Sequence, residues 1–110
     1  MEKEKEMIET EKYIYSEGFI DYLMGNGFSK EVAEKYREDF YYIDWVYDDC
    51  SYIDPDSNVP FMEQVSKHFL MMDADPNAIA EFFSNEHYSK YTDKNKWLEV
   101  IKNIQEKEVL

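Results

Sequence analysis

The sequence predicts an all-α fold, a compact single domain of about five short helices formed by residues 1–110. Apolar residues recur at intervals of three and four in five segments, which places them on one face of a helix in each segment. The connections between these segments are short and the chain has only three glycines, as expected for a small helical domain. With 110 residues, 44% of them apolar, the chain can bury a modest core of its own.

The first helix is predicted over residues 7–24. Its apolar side chains fall on one helical face, and the glycines at positions 25 and 27 give the helix a natural end. The side chains expected to point inward are Ile8, Tyr15, Phe19, Tyr22 and Leu23.

A second helix is expected to begin after Ser29, whose hydroxyl can act as an N-cap, with acids following in the first turns. Residues 40–47, FYYIDWVY, also have strand propensity, but their apolar and polar residues do not alternate, so a helix is favoured. The inward stripe, at helical spacing throughout, consists of Val32, Tyr36, Phe40, Ile43, Tyr47 and Cys50.

Residues 51–60 contain two prolines and several turn formers, so they are expected to form an ordered connection that ends the second helix. A third helix should begin near residues 58–60, because apolar residues at helical spacing follow. Its inward side chains are Met62, Val65, Phe69 and Met72.

The last two helices are predicted from their caps. Asp75 is a suitable N-cap, and Pro76 occupies the first helical position, where a missing N–H costs nothing. Thr92 or Asp93 can cap the fifth helix, which carries lysines on its outer side. The inward residues are Ile79, Phe82 and Phe83 in the fourth helix and Trp97, Leu98, Ile101 and Ile104 in the fifth.

The charge of the chain is large and unevenly distributed. Lysine and arginine total 12 against 25 aspartates and glutamates, for a formal net charge of -13 at pH 7. Residues 38–86 contain twelve acids and one base, a net charge of -11, whereas residues 1–37 carry -3 and residues 87–110 carry +1. Such a field repels nucleic acid and attracts basic proteins. We therefore expect a basic protein partner and no direct nucleic-acid partner.

The acids are mixed with aromatic residues in one stretch. Residues 38–57, EDFYYIDWVYDDCSYIDPDS, contain seven carboxylates, six aromatic rings and no cation. On a helix, Tyr41 and Trp45 lie one turn apart, away from the inward stripe and among the acids. Either the first helix covers these rings, or they are exposed within an acidic surface. The candidate partner-binding residues are Glu38, Tyr41, Tyr42, Asp44, Trp45, Asp48, Asp49, Asp54 and Asp56.

This stretch supports two hypotheses. In the first, the carboxylates imitate the phosphates of DNA, since a helix over residues 38–49 rises ~16 Å, a length over which one DNA strand carries ~5 charges. Asp39 is expected to lean toward the core and not to contribute. In the second, Trp45 and Tyr41 anchor an ordinary protein interface, and the surrounding acids select a basic partner. Both hypotheses predict a basic partner, such as a nucleic-acid-binding enzyme.

In size, acidity and helical content the chain resembles the small anti-restriction and anti-CRISPR proteins of phages, which occupy the DNA-binding clefts of their targets. The resemblance implies an inhibitor that binds a nuclease or a restriction or CRISPR effector by presenting DNA-like negative charge. The alternative is a helical interaction module, for example an immunity or adaptor protein, whose affinity comes from an exposed patch of Trp45, Tyr41 and Tyr42.

No catalytic or metal-binding motif is evident. Residues 54–58 and 73–77 both show the D-x-D-x-N start of a calcium loop, but each lacks the later glycine and glutamate, so turns and helix caps explain them better. His68 and His87 lack the spacing of a transition-metal site, and Cys50 on the inward stripe is expected to be an inert buried thiol. We therefore predict no catalytic residue, no metal or other cofactor and no enzymatic activity.

The cysteine content and hydropathy indicate a compartment. One cysteine excludes an internal disulfide and fits a reducing environment. The first residues, MEKEKEMIETEK, have no apolar segment of signal-peptide length, and no apolar run in the chain approaches the ~18 residues of a membrane span. We expect a cytoplasmic protein that does not contact membranes.

Overall fold

All regular elements in the part of the chain that the structure describes are helices. The structure is a computed structural model, and it describes residues 11–47 and 53–108. Residues 11–14 are helical, and six further helices follow. These are α1 (Glu17–Gly25), α2 (Lys30–Lys35), α3 (Arg37–Tyr47), α4 (Phe61–Met71), α5 (Pro76–Phe83) and α6 (Lys94–Glu108). The all-α prediction is confirmed.

The predicted first helix is interrupted at Ser16. The Ser16 hydroxyl donates to the Tyr13 carbonyl oxygen at 2.6 Å and accepts from the Phe19 amide at 3.2 Å, so it closes one turn and caps the start of α1. The prediction that Tyr15 points inward is wrong, because this break turns the residue outward and leaves it 56% exposed. The inward prediction for Tyr22 is also wrong, since its side chain is 43% exposed, whereas Phe19 and Leu23 are buried as predicted. Ile8 lies outside the described residues.

The predicted second helix is divided at Tyr36, which ends α2 immediately before α3 begins. The division does not disturb the inward stripe, since Tyr36, Phe40 and Ile43 are buried and Val32 is half-buried. Cys50, the last residue predicted for this stripe, lies outside the described residues.

Three helix starts have the caps that the sequence indicates. The Ser29 side chain accepts from the Val32 amide at 3.2 Å, and the Asp75 side chain accepts from the Asn77 amide at 2.8 Å. Asp93 accepts from the Asn95 amide at 3.0 Å, which decides between the two candidates for the last cap. Each bond satisfies a backbone donor that the helix itself leaves without a partner.

Two helices end in the same Schellman arrangement. At the end of α1, the Phe28 amide donates to the Leu23 carbonyl at 3.2 Å, and Gly27 has φ = 105°. At the end of α4, the Ala74 amide donates to the Phe69 carbonyl at 3.1 Å, and the left-handed position is occupied by Asp73 with φ = 63°. Glycine is the usual residue at this position because any Cβ there is strained.

The core is a single cluster of buried side chains from all six helices, rich in aromatic rings. The rings of Phe82 and Tyr88 stack with centroids 4.0 Å apart, and those of Phe83 and Trp97 with centroids 5.4 Å apart. Helix α6 packs against α4 and α5, and α3 packs against α5. The prediction that Met72 points inward is wrong, because α4 ends at Met71 and leaves the Met72 side chain 42% exposed.

Candidate partner-binding surface

Helix α3 divides its side chains between the core and the surface. Phe40 and Ile43 are fully buried on one side, against the aromatic core. On the other sides, Trp45 is 70% exposed and Tyr42 is 47% exposed. A tryptophan with this exposure contributes little to the core and leaves a large apolar area in water.

Tyr13 and Phe19 cover the ring of Tyr41, whereas Trp45 is exposed. The Tyr41 ring lies in edge contact with Tyr13 and Phe19, with both centroids 5.9 Å away. It also contacts the ring of Tyr42 at 5.1 Å. The sequence left open whether these two rings are covered or exposed. The structure shows one of each, since Tyr41 is half-buried under the first helical segments and Trp45 is exposed.

Glu38 is exposed at the N-terminal end of the same helix. Its Oε1 accepts a hydrogen bond from the Tyr15 hydroxyl, and this bond raises the pKa of Tyr15 above its ordinary value. The guanidinium of Arg37 lies over the Tyr15 ring, 5.0 Å from the centroid, and Arg37 Nη2 is 3.9 Å from Glu34 Oε2. Arg37 is therefore directed to Glu34 and Tyr15.

The carboxylate of Asp44 is engaged within the molecule. Oδ2 accepts from the Tyr22 hydroxyl and Oδ1 accepts from the Tyr88 hydroxyl, each at 3.0 Å. The Tyr88 hydroxyl in turn accepts from Asn26 Nδ2 at 2.8 Å. Burial and the Asp44 carboxylate raise the pKa of Tyr88 far above its ordinary value. Asp44, which the sequence placed on the binding surface, is half-buried and connects α3 to α1 and to the turn after α5.

Asp39 leans toward the core, as the sequence predicted. It is half-buried, and its Oδ1 accepts from the Asp75 amide at 3.3 Å. Burial raises the pKa of the Asp39 carboxyl, the hydrogen bond from Asp75 lowers it, and the negative charges of Asp75 and Glu38 raise it further. The net effect is a pKa above the ordinary value, so the ionised form of Asp39 is less stable here than in water.

Asp54 and Asp56 are exposed on the connection between α3 and α4. Asp54 Oδ1 accepts from the Asp56 amide at 3.0 Å, which closes a tight Asx turn. Gln64 of α4 stabilises the same connection, because its Oε1 accepts from the Asp54 amide at 2.8 Å and its Nε2 donates to the Val59 carbonyl at 2.8 Å. The two carboxylates are thus held on an ordered segment, as predicted for this connection.

The structure brings together a subset of the predicted site. Glu38, Tyr41, Tyr42 and Trp45 lie on adjoining faces of α3, and we call these four residues the α3 surface. Asp48 and Asp49 lie outside the described residues. Sequence reasoning missed the contribution of Tyr13 and Tyr15, which extend this surface with exposed rings. The signal available for them was Ser16, a residue that favours caps and turns.

The ion pairs of the described residues do not include the acids of α3. The ion pairs between described residues join Lys30 and Arg37 to Glu34, and Lys94 to Glu81. No ion pair within the described ranges involves Glu38, Asp39 or Asp44. Among the described residues, no basic side chain therefore compensates the charge of these three acids.

The two D-x-D-x-N segments form a turn and a cap, as the sequence indicated. Asp54 closes the Asx turn, and Asp75 caps α5. Over residues 11–47 and 53–108, no group of three or more histidine, cysteine or acidic side chains is arranged to hold a metal ion. His68 is half-buried with its ring against Phe69, and His87 is exposed.

Comparisons of the chain with protein-family models, with curated proteins and with solved structures gave no match. Within the described residues, no helix combines the length and apolarity needed to cross a lipid bilayer. The function is therefore inferred from the geometry and charge of the chain's own residues.

Proposed function

We propose that this chain is a protein-binding module that captures a basic partner through the α3 surface, with Trp45 as the anchor. The observation that carries the proposal is the 70% exposure of Trp45 on a helix whose opposite side is fully buried. Tryptophan and tyrosine are the residues most often found at the energetic centre of protein interfaces. An exposed tryptophan beside Tyr42 is a suitable centre, and a rigid helix presents it without an ordering cost.

The charge of the chain supports a basic partner. Residues 38–86 carry a net charge of -11, and the described ion pairs leave the acids of α3 without a cation. Acids at the rim of an interface attract basic proteins and repel acidic ones. Proteins that bind nucleic acid present basic surfaces to phosphate. The partner class that fits best is therefore a nucleic-acid-binding protein, such as a nuclease or a restriction or CRISPR effector, which the chain would inhibit by occupying its basic surface.

A second candidate function is mimicry of DNA by the carboxylates themselves. The density of acids in residues 38–57 favours it. However, Asp39 and Asp44 are half-buried and accept hydrogen bonds from within the molecule, which removes two of the acids that a regular row of phosphate substitutes along α3 would use. Mimicry would then depend on Glu38 and on the acids that follow α3: Asp48, Asp49, Asp54 and Asp56.

The test is an affinity capture from bacterial lysate, with the wild-type chain and a set of variants as bait. Bound proteins are eluted with steps of salt, with duplex DNA as a competitor, and identified by mass spectrometry. Trp45→Ala removes the proposed anchor, and Met71→Ala is the matched control because Met71 is an equally exposed apolar residue on α4. Neutral variants of Asp54 and Asp56 test the charge without disturbing Asp44.

The module proposal expects that Trp45→Ala weakens capture of the partner by about 30-fold, the effect of losing a hot-spot residue, whereas Met71→Ala does not. DNA mimicry predicts instead that neutralising the acids abolishes capture and that duplex DNA competes with the chain for the partner. It also predicts that Trp45→Ala has little effect. A partner captured equally by wild type and Trp45→Ala would overturn the module proposal.

A further inference from the structure

A groove lies between α3 and the C-terminal end of α4. Its volume is about 310 Å³. The apolar residues that line it are Tyr42, Ile43, Phe69, Met72 and Ala74. Ile43 and Phe69 are buried and form its floor, whereas Tyr42, Met72 and Ala74 offer the accessible apolar surface. Tyr42 is also part of the α3 surface, so the groove opens beside the proposed anchor Trp45, which lies one turn further along the helix.

Three carboxylates line the same groove: those of Glu38, Asp39 and Asp73. None of them takes part in the ion pairs seen among the described residues. Asp39 is half-buried, and burial together with the neighbouring negative charges raises the pKa of its carboxyl. A cation placed in the groove would offset this unfavourable environment, because an opposite charge nearby stabilises the ionised form of a carboxyl.

We propose that the groove receives an arginine side chain of the basic partner. This inference rests on the proposed function and specifies the chemistry of one contact in that interface. The accessible apolar surface of Met72 and Ala74 suits the methylene stem of an arginine, which commonly packs along apolar surface. The Tyr42 ring offers a face for the planar guanidinium, and the carboxylates accept its N–H groups.

Two arguments, one chemical and one structural, favour an arginine from a partner over other occupants. Lysine would satisfy the charge, but an ammonium is more strongly hydrated and lacks the planar fork that carboxylates and an aromatic face bind together. The single arginine of this chain, Arg37, is directed to Glu34 and the Tyr15 ring, so an arginine in the groove has to come from a partner.

The test uses synthetic hexa-arginine, hexa-lysine and hexa-citrulline peptides with the full chain at about 0.15 M salt, where charges farther apart than ~8 Å are largely screened. Binding is followed by amide chemical shifts in NMR and by calorimetry. Asp73→Asn removes one groove carboxylate and keeps a residue that tolerates the left-handed backbone of this position. Glu99→Gln on α6 is the matched control, since Glu99 is exposed and outside the groove. Tyr42→Leu removes the ring and keeps apolar volume.

We expect hexa-arginine to bind more tightly than hexa-lysine, hexa-citrulline not to bind, and the shifts to centre on Tyr42, Phe69, Met72 and Asp73. Asp73→Asn should weaken hexa-arginine binding by about threefold and Glu99→Gln by much less. Tyr42→Leu should reduce the preference for arginine over lysine by about threefold.

Equal binding of the two basic peptides, shifts spread over the whole acidic surface, or equal effects of Asp73→Asn and Glu99→Gln would overturn the proposal. Such results would not contradict the proposed function, because capture of a partner through Trp45 does not require the groove. Conversely, if Trp45→Ala did not weaken capture of the partner, the module proposal would be wrong, but the peptide experiments would still test arginine binding in the groove.

Discussion

The Tyr88 hydroxyl donates a hydrogen bond to Asp44 Oδ1 at 3.0 Å and so connects α3 to the turn after α5. The other oxygen of Asp44 accepts from Tyr22 in α1, and Asn26 donates to the Tyr88 hydroxyl. Three separate parts of the chain therefore meet at one carboxylate. Trp45 follows Asp44 directly, so this network stabilises the turn of α3 that carries the proposed anchor.

Replacing Tyr88 by phenylalanine should lower the free energy of unfolding by about 1.5–3 kcal/mol, the usual contribution of a hydrogen bond to a charged group. The ring itself stays, so its stacking on Phe82 is preserved. Urea denaturation followed by circular dichroism measures the change. Tyr91→Phe is the control, because this exposed ring should change stability by less than about 0.5 kcal/mol. Equal stability of the two variants would show that the Asp44 network contributes nothing to folding.

The same network predicts a loss of stability at alkaline pH. Burial raises the pKa of both Tyr88 and Tyr22, with their interactions with Asp44 adding to the effect. A group whose pKa is higher in the folded state stabilises the fold below its unfolded pKa, and this stabilisation is lost as the pH rises above that value. The unfolding free energy of the wild type should therefore fall more steeply above pH 10 than that of Tyr88→Phe. Parallel curves from urea titrations at several pH values would contradict the prediction.

Asp39→Asn should stabilise the protein at neutral pH. The pKa of Asp39 is raised above the ordinary value of 3.8, chiefly by burial, so the folded state holds the proton more tightly than the unfolded chain does. The resulting stabilisation is fully present below that ordinary value and is lost as the pH rises through the folded-state pKa. The advantage of Asp39→Asn over wild type should therefore shrink as the pH falls from 7 toward the ordinary pKa. Urea titrations across this range measure it, with Glu99→Gln as a control for net charge.

Substitutions at the two Schellman ends should change the free energy of unfolding in opposite directions. Asp73→Gly should raise the unfolding free energy by up to about 1 kcal/mol, because glycine adopts the left-handed backbone without strain. Gly27→Ala should lower it by about 1–2 kcal/mol, and the added Cβ would also lie 3.1 Å from the Asn85 side chain. Thermal unfolding of both variants gives the two signs. A destabilising effect of Asp73→Gly would indicate that the Asp73 side chain stabilises this turn.

Local signals in the sequence predicted the helix starts. Which residues of the candidate site are exposed depends instead on contacts between residues far apart in sequence. The caps at Ser29 and Asp75 were predictable because each bond joins residues only two or three positions apart. The exposure of Trp45 was not, since it depends on which ring of α3 is covered by residues distant in sequence, and Tyr13 and Phe19 lie against Tyr41. The role of Asp44 was missed for the same reason.

The break at Ser16 shows how one polar side chain can override an apolar pattern. Tyr15 and Phe19 are spaced for a common helical face, and this spacing predicted that both are buried. The Ser16 hydroxyl bonds backbone groups on both sides of the break, and Tyr15 turns outward to donate to Glu38. Periodicity records which residues are apolar but not where a side chain competes with the backbone for its hydrogen bonds.

Because Gln64 stabilises the α3–α4 connection, we expect substitutions of Gln64 to be tolerated less well than substitutions of the exposed residues in the connection. Gln64 supplies one acceptor and two donor contacts to the backbone of residues 54 and 59, a combination that only a carboxamide of this length offers. Glutamate at this position would set a carboxylate against two carbonyl oxygens. In a library that varies every residue of this connection, Pro55, Asp56 and Asn58 should accept many replacements, because they are exposed, while Gln64 should accept almost none. The tolerance of this connection for change is therefore set in part by one side chain of the following helix, which lies outside the connection itself.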